Sequence, residues 1–94
     1  MFLVDMTFVK PLPVVDQYVT AHRDYLSAFY NEGVLLLGGR KNPRTGGVIL
    51  SRHATLKEVE DVFNADPLVL ADVARFSITE FEPVMRSADL IGLL

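Results

Sequence analysis

The sequence contains no cysteine. That excludes disulfides, thiolate nucleophiles and cysteine-held metals, and it fits a reducing compartment. A cytoplasmic protein is expected. Basic residues are in the minority, with 9 Lys and Arg against 12 Asp and Glu and a net charge of −3. The one basic cluster is Arg40, Lys41 and Arg44, read as lying in a loop. Nucleic-acid binding needs more phosphate partners than three cations supply, so no nucleic-acid partner is expected. Three cations do suffice for one small anion. No apolar run approaches the roughly 20 residues that span a bilayer, so no membrane partner is expected. The apolar start MFLVDMTFV carries Asp5 and lacks a basic lead and a cleavage site, and is not expected to be a signal peptide. No phosphate loop, dinucleotide fingerprint, serine elbow or zinc-protease motif occurs. Two histidines without a spaced carboxylate cluster do not make a metal site. No cofactor is expected.

The chain has 94 residues, half of them hydrophobic. That length is one domain, residues 1–94, without linker or repeat. A domain so small buries only about 60–65% of its chain surface. Apolar residues are therefore in excess, and part of that excess is expected to meet another subunit.

Phe2 to Val9 reads as a strand with Phe2, Val4, Met6 and Phe8 on one face. Pro11 and Pro13 end it. Val14 to Glu32 reads as one helix, its apolar stripe formed by Val15, Tyr18, Val19, His22, Leu26 and Phe29. Gly33 supplies a left-handed stop. Val34 to Leu37 reads as a buried strand, followed by a glycine-rich hairpin-like connection from Gly38 to Gly47. Gly47 to Arg52 is the next strand. Thr55 and Glu58 form a capping box ahead of a helix with Leu56, Val59, Val62 and Phe63 on its apolar face. Ala65-Asp66-Pro67 breaks that helix, and Leu68 to Leu70 is expected to form a short turn. Val73 to Phe81 is the last strand, with Ala74, Phe76 and Ile78 on one face. Pro83 ends it. Residues 83–94 form a tail expected to dock on a partner subunit or to fray.

The order β-α-β-β-α-β is the ferredoxin-like arrangement of an α+β domain, an antiparallel sheet with two helices on one face. The other face needs a cover, and a homodimer or higher homo-oligomer provides one.

His22 is the first residue with chemical potential. An imidazole on an apolar stripe must find a hydrogen bond, and it titrates where a general base is useful. A core histidine satisfied by a backbone carbonyl is the alternative. Asp66 is the second. It is either a turn residue ahead of Pro67 or the carboxylate that orients His22. Gly38, Gly39 and Arg40 follow a buried strand. The glycines allow close backbone approach to a ligand, and Arg40 can clamp a carboxylate, unless this is a solvated hairpin. His53 is expected to be exposed and structural. Asp5, Thr7, Arg75, Ser77 and Thr79 either line a pocket or face water. Tyr18, Tyr25 and Tyr30 are read as packing residues.

These segments resemble the YciI-like (YCII-related) family over nearly the whole chain. The resemblance lies in H-R-D-Y-L (His22 to Leu26), E-G-V-L-L-L-G-G (Glu32 to Gly39), G-G-V-I-L (Gly46 to Leu50), N-A-D-P-L-V-L-A (Asn64 to Ala71) and F-E-P-V (Phe81 to Val84). The helical histidine together with D-P after the second helix is its specific part. The resemblance implies a dimeric α/β barrel and an active site built on His22 and Asp66; Arg40 and Gly39 are expected as substrate-binding residues from their own chemistry. The family's relatives include dehydrochlorinases, and its barrel cousins include lactone isomerases and cofactor-free monooxygenases. With the His/Asp pair, a cofactor-independent lyase or isomerase acting on a small anionic molecule is expected, and a cofactor-free monooxygenase is a further reading. A non-catalytic small-ligand-binding or interaction module in the same cleft is the alternative. The chain departs from the family in having Gly39-Arg40 where Gly-Pro is common, and Ala71-Asp72 where glycine is common. Both changes touch the pocket rim, so the substrate does not carry over.

Overall fold

The computed structural model describes residues 1–92; Leu93 and Leu94, the end of the expected tail, lie outside the described residues. In β1 (Phe2–Phe8), Phe2, Val4 and Met6 are buried while Leu3 and Thr7 are exposed. Alternation of this kind marks a strand with one face in a core. Strands β2 (Leu35–Arg40), β3 (Gly46–Ser51) and β4 (Ala74–Glu80) join it in the order β2-β3-β1-β4, every neighbour antiparallel. Register puts Gly47 and Phe76 on either side of Met6, and Ile49 and Ile78 on either side of Val4. This is the ferredoxin-like α+β sheet expected from the element order.

The first helical segment differs from the expected single helix. It is two pieces, α1 (Leu12–Val15) and α2 (Val19–Glu32). Pro13 is tolerated in the first turn of α1, where its missing N–H would have no helical partner. Between the pieces the chain tightens: Gln17 N–H bonds to Val14 O and Tyr18 N–H to Val15 O. The apolar spacing runs through this break because Val15, Tyr18 and Val19 still pack on the core. Gly33 ends α2 at φ 80, with its N–H on Tyr30 O and that of Val34 on Phe29 O. This paired closure needs a left-handed residue, which glycine adopts without strain.

A second difference concerns Gly38 and Gly39. They lie inside β2, paired with Ile49 and Val48, and only residues 41–45 form the connection. Glycine is common in turns, but here it is a strand residue admitted by close approach. A Cβ on Gly38 would collide with the Tyr30 hydroxyl.

Helix α3 (Leu56–Asn64) starts on the expected cap. Thr55 Oγ1 accepts from Glu58 N–H at 3.2 Å, and Glu58 Oε2 accepts from Ala54 N–H at 3.0 Å. Its apolar face, Val59, Val62 and Phe63, is buried against the sheet, with the Phe63 and Phe76 rings 6.0 Å apart. Phe2, Phe63, Leu35 and Leu68 are the largest fully buried apolar side chains, each contributing about 1.5–3 kcal/mol. A short α4 (Pro67–Leu70) leads into β4.

Among the described residues the opposite face of the sheet carries no α-helix. It presents Leu3, Leu37, Leu50 and Val48 among Asp5, Thr7, Arg75, Ser77 and Thr79. Residues 83–92 make one 3-10 turn, Ala88–Leu90. Leu90 reaches a shallow cleft with Leu36, Leu37 and Leu50. Val84, Met85 and Ile91 stand exposed.

Candidate functional site

Two segments far apart in sequence meet at the first turns of α2. His22 sits one turn before the buried Leu26, its N–H bonded to Tyr18 O. Asp66 follows α3, where Asp66 N–H still bonds back to Phe63 O. Pro67 holds Asp66 in an extended conformation at ψ 132 and serves as first residue of α4. An aspartate there is a helix N-cap, and Asp66 Oδ1 accepts from Leu68 N–H at 2.8 Å. Its other oxygen, Oδ2, lies 2.7 Å from His22 Nδ1. The Asp66 side chain is fully buried and that of His22 is 18% exposed.

Both carboxylate oxygens are thus acceptors. The Nδ1 proton is assigned from this network: Nδ1 donates, and Nε2 keeps its lone pair. Tyr25, one turn along α2, is tied down separately by donating to Val62 O at 2.6 Å. Burial raises the Tyr25 phenol above its ordinary range, and the negative charge of Asp66 raises it further.

His22 opens onto a cavity of about 690 Å³ between α2 and the edge strand β2. Its walls include Met6, Phe8, Leu26 and Ile49. Gly38 and Gly47 pair with core-facing residues of neighbouring strands, so two inner-face side chains are missing where the cavity lies. Three arginines line it: Arg23 from α2, Arg40 from the end of β2 and Arg44 from the connection. Among the described residues no Asp or Glu does, although the chain as a whole is acidic. Arg44 is held by Asp16 at 2.6 Å and lies over the Phe8 ring. Arg23 and Arg40 take part in none of the ion pairs among the described residues. Unneutralised cations on low-dielectric walls concentrate anions.

His22 and Arg40 thus border one cavity, and Asp66 reaches it through His22. Gly39 borders the cavity with its main chain alone. It pairs with Val48 on the helix-free face, and a Cβ there would enter open space. Lys41 belongs to the helix-free face, where it bonds Asp5 at 2.6 Å and Thr7 at 3.4 Å. Arg75, Ser77 and Thr79 also lie on that face. His53, expected to be exposed, is half-buried. Its Nδ1 is 2.5 Å from the fully buried Ser51 Oγ, and its ring is 6.3 Å from Phe29. Burial lowers its pKa below the ordinary 6.5, opposed by the nearby Glu58 and Glu32. Among the described residues no three His, Asp or Glu side chains are placed to hold a metal ion.

Sequence reasoning missed Arg23, Tyr30 and Gly47 as cavity residues. The stripe His22, Leu26, Tyr30 at four-residue steps is the signal that was available for Tyr30.

A family model for the YCII-related domain matches residues 1–82. No curated protein matches the sequence at a significant level. Among solved structures, 5-chloro-2-hydroxyhydroquinone dehydrochlorinase from Burkholderia phenoliruptrix AC1100, in complex with 2,5-dihydroxybenzoquinone, superposes with a TM-score of 0.73. The two chains are 18% identical, and the match covers 87% of this chain and 94% of the other. No helix among the described residues is long and apolar enough to cross a membrane.

Proposed function

The chain belongs to the YCII-related family, and on that premise we propose that it is a cofactor-independent lyase or isomerase for a small anionic organic molecule, with His22 as its general base. The observation that carries this reading is the His22/Asp66 contact of 2.7 Å on the wall of a cavity lined by three arginines and no carboxylate. Asp66 holds the ring with Nε2 unprotonated and stabilises the imidazolium formed when Nε2 takes a proton. The proton comes from a carbon next to a carbonyl. The C–H electron pair moves onto the carbonyl oxygen as an enolate, stabilised by the positive field of the arginine-lined wall, while Arg40 binds the substrate's anionic group. Return of the proton from Nε2 to a different carbon gives an isomerase. Collapse of the enolate with expulsion of a leaving group from the adjacent carbon gives a lyase, and the imidazolium then loses its proton to water. Dehydrochlorination, the activity in the structural neighbour's name, is also an elimination, of HCl; a hydroxyhydroquinone would enter this scheme as its keto tautomer.

The test is turnover in D₂O of 5-chloro-2-hydroxyhydroquinone and a set of unsaturated lactone carboxylates, followed by chloride release and deuterium incorporation. His22→Ala is expected to slow a turned-over compound by about 10²–10⁴. Equal rates in wild type and variant would overturn the mechanism. Saturable binding with no turnover across the set would favour a ligand-binding module.

We also propose a homodimer through the helix-free face, where Leu3 and Leu37 are 37% and 63% exposed. An uncovered antiparallel sheet face with such residues needs a cover. The cysteine-free composition suits the reducing cytoplasm.

A further inference from the structure

Two tyrosines lie within α2, Tyr25 and Tyr30, and their hydroxyls have different fates. Tyr25 donates to Val62 O and is structural. Tyr30 is half-buried and lines the cavity, and its hydroxyl makes no hydrogen bond to any described residue. The Tyr30 phenol lies over the bare Cα of Gly38, where any Cβ would strike the hydroxyl oxygen. The strand has thus been cut back at the one place that lets this phenol reach across it. Burial holds the phenol above its ordinary pKa, so it stays a donor at neutral pH.

Tyr30 stands two helical turns beyond His22 on the same side of α2. Gly38 and Arg40 stand two residues apart on the cavity face of β2, about 7 Å along the strand. We infer that Tyr30 is a specificity-determining donor that selects ligands carrying an oxygen substituent roughly one ring away from their anionic group. The inference rests on the anion-binding reading of the cavity and adds the second end of the ligand. Arg40 takes the anion, the Tyr30 hydroxyl donates to the oxygen, and a planar ring spans the glycine-cleared wall between them.

The test is calorimetric titration of benzoate and its 2-, 3- and 4-hydroxy derivatives into the purified protein and into Tyr30→Phe, Gly38→Ala and Arg40→Gln. In wild type at least one hydroxybenzoate is expected to bind about three- to tenfold more tightly than benzoate, the worth of one hydrogen bond. Tyr30→Phe is expected to erase that advantage and leave benzoate affinity unchanged. Gly38→Ala, which keeps the tyrosine but displaces it, is expected to erase it as well. A preference that survives Tyr30→Phe overturns the inference, and so does the lack of any preference in wild type while benzoate binding still depends on Arg40. Benzoate affinity unchanged by Arg40→Gln, or no binding by any of the four probes, overturns the anion reading and the inference with it.

Discussion

His22 and Asp66 are separated by 44 residues in sequence and by 2.7 Å between Nδ1 and Oδ2. The carboxylate is fully buried and spends its other oxygen on the cap of α4. One side chain thus shapes the backbone and sets the imidazole tautomer.

Those two duties separate by substitution. Asp66→Ala removes the cap and the histidine's partner, and is expected to cost about 2–4 kcal/mol in denaturant unfolding. Asp66→Asn keeps an oxygen for Leu68 N–H but presents an NH₂ group to Nδ1. The ring then carries its proton on Nε2 and loses its role as base. Activity is expected to fall by about 10²–10⁴, with a smaller loss of stability than in Asp66→Ala. Near wild-type activity in Asp66→Asn would mean that Asp66 is a cap and nothing more.

Gly46 and Gly39 are expected to respond oppositely to alanine. A Cβ on Gly46 would strike the carbonyl oxygen of Met6 in the neighbouring strand, whereas one on Gly39 meets nothing within 4 Å. Gly46→Ala is expected to cost about 1–3 kcal/mol or more. Gly39→Ala is expected to lie within about 0.5 kcal/mol of wild type, because the added side chain only stiffens the unfolded chain. Since that side chain points to the helix-free face, ligand affinity at the cavity should hold. A large affinity loss in Gly39→Ala would mean the strand approaches the ligand more closely than its register implies.

His53 gives a pH dependence. Burial lowers its folded pKa below 6.5, so the unfolded chain takes up the proton first as pH falls. The stability it contributes is full above about pH 6.5 and is lost as pH drops through the lowered folded value. Melting temperatures at about pH 7.5 and pH 5.5 are expected to differ more for wild type than for His53→Gln. Equal differences would show that burial of His53 does not favour the neutral ring.

Light scattering after size exclusion tests the proposed dimer. Wild type is expected at twice the monomer mass, and Leu37→Lys on the helix-free face is expected to shift it to monomer. A monomeric wild type would leave that face uncovered and the proposal refuted.

What the residues disclosed follows from where their information is local. Alternation from Phe2 to Phe8 is legible because one face is buried and the pleat has period two. The Thr55/Glu58 box is legible because its bonds close within four residues. The break between α1 and α2 was hidden because apolar spacing continues through it. Gly38 and Gly39 read as part of a hairpin-like connection because the Tyr30 hydroxyl, from another element, is what shows Gly38 as a strand residue in close contact, and nothing nearby calls for glycine at Gly39. His53 was misjudged for a similar reason, since Phe29 and Ser51 cover it from different elements. The His22/Asp66 contact cannot be read from spacing at all; the resemblance of two distant segments to one family pointed to it.

The capping aspartate has a consequence for how the molecule comes into being. His22 belongs to the first β-α-β half and Asp66 to the second, so a nascent or severed chain ending before residue 66 carries an imidazole with no carboxylate to orient it. On the proposed mechanism, the base is complete only once the second half has closed onto the first.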